Sequence, residues 1–96
     1  MAAEVLSFQQ EEGKTAYYAT FVSDGNPVTI QIKNKGGYVT VHANIEGMKP
    51  VILYPNVRDS NGVPDSIFRV AGIVAGVEIT IKSATEVLEA KMIKEG

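Results

Sequence analysis

Apolar and polar residues alternate along most of the chain. In Val28–Lys33, Val28, Ile30 and Ile32 fall on one side and Thr29, Gln31 and Lys33 on the other. Val39, Val41, Ala43 and Ile45 form a second apolar row, interrupted by Thr40, His42 and Asn44, and Val77, Ile79 and Ile81 form a third. Successive side chains of a strand point to opposite faces, so the pattern predicts strands in sheets with one dry face and one wet face. Lys14–Val22 also reads as a strand, with Tyr17, Ala19 and Phe21 on one side and Ala16, Tyr18 and Val22 on the other. Apolar groups on both of its sides predict a more central position. Val51–Tyr54 and Ser66–Val70 are short runs of strand-forming residues. Glu4–Phe8 suits an edge strand with Leu6 and Phe8 facing inward.

Turn residues separate these runs. Ser23–Pro27, Asn34–Gly37 and Glu46–Pro50 each combine Gly with Asn, Asp or Pro, and Asn34–Gly37 predicts a hairpin. Asn56–Asp65 is the longest polar loop. Short strands at close spacing, without intervening helices, predict an all-β domain: a small antiparallel β-sandwich of about seven to eight strands, immunoglobulin-like or jelly-roll-like. The C-terminal segment has two readings. Ser83–Glu86 matches a helix-capping box and Val87–Ile93 is rich in helix formers, which suits a short C-terminal helix. Leu88, Ala90 and Met92 also alternate with Glu89 and Lys91, and Val77–Lys82 needs a partner, so a final strand is preferred.

Composition narrows the class. The 96 residues fit one domain spanning 1–96. There is no Cys, so neither a disulfide nor a cysteine metal site can form. A net charge of −2 argues against a nucleic-acid partner, which calls for a basic stripe. Met1–Glu12 lacks the basic and apolar regions of a secretory signal. Ile67–Ile81 is interrupted by Arg69 and Glu78, so no membrane span is expected, and folding in a reducing cytoplasm is.

Little of the sequence has the look of reactive chemistry. His42, the one histidine, falls on the polar side of its strand beside Thr40 and Asn44. No Gly-x-Ser-x-Gly elbow accompanies it. Asp59, Asn61 and Asp65 could offer oxygen ligands to a cation, but the spacing departs from the EF-hand loop, and an Asx-rich surface turn is the simpler reading. Glu11 and Glu12 are adjacent, so they diverge rather than share a reaction centre. Tyr17, Tyr18, Tyr38 and Tyr54 could stack on a sugar, although core packing and interface contact are the commoner uses. No catalytic, metal or cofactor-binding residue is expected.

The segment Ile67–Val77 stands out because it is apolar yet must contain a turn, marked by Gly72 and Gly76. Exposed loops are normally polar. Ile73, Val74 and Ala75, with Phe68 nearby, must either fold over the open end of the sandwich or meet another subunit. The runs Asn26–Lys33, Gly36–Val51 and Ser66–Thr85 resemble the small β-sandwich structural proteins of tailed-phage virions, those that decorate the capsid or form the base of head fibres. The resemblance implies a non-enzymatic virion protein, made in the host cytoplasm, that binds the major capsid protein or other virion proteins on a symmetric lattice and forms a homo-oligomer. It transfers no catalytic residue. The competing expectation is an immunoglobulin-like carbohydrate-binding or adhesion module using the surface tyrosines or the Asp59–Asp65 loop.

Overall fold

The structure, a computed structural model, describes residues 3–55, 57 and 65–94. The described residues form nine strands and no helix: β1 (Glu4–Val5), β2 (Gln9–Gln10), β3 (Tyr17–Val22), β4 (Val28–Asn34), β5 (Val39–Asn44), β6 (Val51–Tyr54), β7 (Asp65–Val70), β8 (Glu78–Ser83) and β9 (Val87–Lys94). They make two antiparallel sheets, of order β1-β9-β4-β7 and β2-β3-β8-β5-β6. The alternating rows do what their spacing predicts. Val28, Ile30 and Ile32 of the first sheet meet Val39, Val41, Ile79 and Ile81 of the second in one core, joined by Leu6, Ala19, Val70, Ala90 and Met92. Complete burial of each large aliphatic side chain contributes about 1.5–3 kcal/mol.

The pairing identifies the topology. β1 pairs with β9, β3 with β8, β4 with β7 and β5 with β6. This nesting, outermost strands together and the β5–β6 hairpin at the centre, is one long hairpin rolled into two sheets. It is the jelly-roll arrangement and not the immunoglobulin order. The N-terminal segment serves both sheets, β1 at the edge of one and β2 at the edge of the other. Leu6 and Phe8 pack against the core between them.

The C-terminal segment is a strand, β9, lying between β1 and β4. Its ladder with β4 runs from Val28↔Lys94 to Asn34↔Val87, and this long-range pairing outweighs the local helix preference. One detail departs from simple alternation. Lys33 opposes Glu89 and Asn34 opposes Val87, so Leu88 is an extra, bulged residue. Val87 therefore packs on the core while Leu88 is exposed.

Three further expectations are corrected. Ile45 does not face inward: β5 ends at Asn44, and Ile45 opens a turn closed by the Met48 amide donating to its carbonyl at 2.9 Å. The Tyr17–Val22 strand is not central. It lies beside the two-residue edge β2, and β8 holds the middle of that sheet. Asn34–Gly37 is not a hairpin, because β4 and β5 belong to different sheets. It is an arch between sheets, bound to the second arch that joins β8 to β9. The buried Asn34 amide donates to Ser83 Oγ at 2.9 Å, Ser83 Oγ donates to the Thr85 carbonyl at 2.7 Å, and Thr85 Oγ1 donates to the Gly36 carbonyl at 2.6 Å. Gly37 has φ of +85°, and a Cβ there would sit 3.0 Å from the Ala84 Cβ, so close approach of the arches requires glycine.

Candidate interaction surface

Strand directions bring three connections to one end of the sandwich: Ser23–Pro27 (β3–β4), Ile45–Pro50 (β5–β6) and Ala71–Val77 (β7–β8). The first holds the third. The Ser23 amide donates to the Val77 carbonyl and the Gly76 amide to the Ser23 carbonyl, both at 2.8 Å, while Ser23 Oγ donates to the Ile73 carbonyl at 3.3 Å. With the bend fixed this way, Ile73 lies beside Phe21, Val28, Val70 and Ile79 and packs against the core.

The apolar bend therefore has one side chain turned in and two turned out. Ile73 closes the end of the sandwich. Phe68, on the inward side of β7, also packs against the core, and both side chains are half-buried. Val74, 72% exposed, and Ala75 face outward, with Ala75 lying over Gly25.

The same end carries a larger apolar feature. Every residue from Ile45 to Ile52 is exposed. Four are large and apolar: Ile45, Met48, Val51 and Ile52, between 59% and 67% exposed. Ala43, Ile45, Met48, Val51 and Val77 line a groove with Lys49 at its rim. Gly47, at φ of +86° in the turn, has open space where a Cβ would stand. Alternation hid this surface by placing Ile45 inward. The legible signal was local: Ile45, Met48, Val51 and Ile52 crowd a Gly-Pro turn and a four-residue edge strand, which cannot bury them all.

The residues suited to chemistry are scattered. His42 lies on the outer face of the five-stranded sheet, opposite Thr80 on β8 and Ile52 on β6, with its Nε2 2.9 Å from Thr40 Oγ1. Partial burial, and then the Lys82 ammonium, lower its pKa from 6.5, so the ring stays neutral to lower pH than a free histidine. The neighbours on that face pair among themselves: Thr20 with Thr80 at 3.1 Å, and Lys82 with Glu11 at 3.5 Å. Tyr17 and Tyr18 point to opposite faces of β3, Tyr54 packs on the core and Tyr38 is exposed just before β5, so the four tyrosines do not share one face. Asp59 and Asn61 lie outside the described residues, and Asp65 begins β7. Among the described residues, no three His, Asp or Glu side chains are grouped to hold a metal ion. Comparison of the chain with family models, with curated proteins and with solved structures returned no match.

Proposed function

We propose that this jelly roll is a non-enzymatic structural protein of a virion, a capsid-decoration or head/tail accessory protein that attaches to a repeating protein surface. The observation that carries the reading is the exposed apolar pair on the bend, Val74 and Ala75, at an end of the sandwich where the neighbouring tip also keeps apolar side chains exposed. Apolar groups grouped at one end mark a contact surface more readily than singly scattered ones do. The jelly roll is also an architecture of viral capsid domains, which is an analogy of fold and not of function. Attachment works by number: a lattice offers many copies of one weak site, and contacts made together hold far better than any one alone.

The test is co-sedimentation of the tagged chain with purified virus particles, with electron micrographs locating the tag. Val74→Asp and Ala75→Asp place a charge on the bend without touching the core. They should lower particle binding at least about tenfold while leaving the melting temperature nearly unchanged. Undiminished binding by both variants would remove the bend from the contact, and failure of the unmodified chain to label any particle would remove the attachment reading itself.

A further inference from the structure

The geometry points to a second copy of this chain as the occupant of the β5–β6 groove, bound across a two-fold axis that passes beside the exposed Gly47–Met48 turn. This goes beyond particle attachment and does not depend on it, since it concerns the free chain in solution. Three observations carry it.

The first is the surface. Ile45, Met48 and Val51, each 66% to 67% exposed, line one groove, so covering it removes more apolar area from water than covering the Val74–Ala75 bend, which has one large apolar side chain exposed.

The second is charge. Glu46 and Lys49 flank Met48, both exposed, and neither joins an ion pair among the described residues. In a two-fold contact, if residue i meets residue j of the other copy, j also meets i. An axis facing the middle of the Gly47–Met48 turn from outside brings Glu46 opposite Lys49 of the partner subunit, and the reverse. Met48 then packs beside its own symmetry mate, over the groove walls Ala43, Val51 and Val77. One acid and one base symmetrically placed about an apolar centre are complementary to themselves. A partner of one charge sign would find one of the two opposed.

The third is what β6 excludes. Pro50 and Pro55 flank it, and its register slips between Val41 and His42, leaving Leu53 as an extra residue. Prolines and bulges blunt an edge against another strand. An extended peptide adding to the sheet is thus disfavoured, and the tip meets its partner through side chains. A patch of this size gives a weak dimer, with Kd above about 1 μM.

Sedimentation velocity of the full chain, from low micromolar to near-millimolar concentration, tests the proposal. A concentration-dependent monomer–dimer equilibrium is expected. Met48→Asp should raise its Kd at least about tenfold. Glu46→Lys and Lys49→Glu should each raise it about threefold to tenfold, and the double reversal should restore it. All three positions are exposed, and thermal melting checks that each variant is folded. A monomer at every concentration, a dimer indifferent to Met48→Asp, or a double reversal no tighter than the single changes overturns the proposal. So does a monomer whose Met48→Asp variant loses particle binding, which would give the groove to a virion protein instead.

Discussion

At the scale of the residue, the polar groups inside the sandwich have more influence on its geometry than their number suggests. Asn34 and Ser83 are both fully buried and lie 49 positions apart in the chain, yet they hydrogen-bond where the two arches meet. Ser83 Oγ accepts from the Asn34 amide and donates to the Thr85 carbonyl, so one hydroxyl ties β4, β8 and the arch that leads to β9. A valine or alanine would satisfy the alternating pattern equally well there, but it could not bind the corner. Ser83→Ala leaves the Asn34 amide buried without this acceptor and should cost about 1–3 kcal/mol. For a domain of this length, that is a fall in melting temperature of at least about 4 °C, readable by calorimetry. A shift too small to measure would mean that water replaces the hydroxyl, and that the remaining bonds of the corner, Thr85 Oγ1 to the Gly36 carbonyl among them, hold it.

At the scale of the element, strands declare themselves through alternation, and the connections between them do not. The rows Val28/Ile30/Ile32, Val39/Val41 and Ile79/Ile81 were legible because each needs only its own strand to share one face. The alternation of Leu88, Ala90 and Met92 marked β9 as a strand, but the partner expected for it was wrong: β9 pairs with β1 and β4, while β8 takes β3 and β5 in the other sheet. Its bulge at Leu88 was not legible, because the extra residue is set by register against Lys33 and Asn34 on another strand. The Asn34–Gly37 turn failed similarly: its glycines announce a reversal but not whether the chain returns in the same sheet or crosses to the other. The apolar bend was legible as unusual, while the division of labour within it depended on Ser23, 50 residues away, anchoring the Ile73 carbonyl. That division is measurable. Ile73→Ala opens space beside Phe21, Val28 and Ile79 and should cost about 1–3 kcal/mol, whereas Val74→Ala should stay within about 0.5 kcal/mol. Urea denaturation, with midpoints compared at equal slope, separates the two. Equal costs would contradict the inward placement of Ile73.

At the scale of the whole molecule, the two proposals give the two apolar features of one end different parts in attachment. If Val74 and Ala75 touch the lattice and the Ile45–Ile52 tip joins two chains, each dimer presents two lattice contacts on one rigid body. The second contact then forms at the effective concentration set by the dimer, not at that of free chain in solution. The two kinds of variant should therefore fail differently. Val74→Asp damages the contact itself, so binding to purified particles should remain poor even at near-saturating protein. Met48→Asp leaves every single contact intact and removes only the link, so half-saturation should move to about 100-fold higher protein concentration or beyond, with full occupancy still reached. Titration of labelled chain onto immobilised particles distinguishes a lost plateau from a displaced midpoint. Identical curves for Met48→Asp and the unmodified chain would show that chains attach singly, and the dimer, if it forms in solution, would then have no part in holding the domain to its surface.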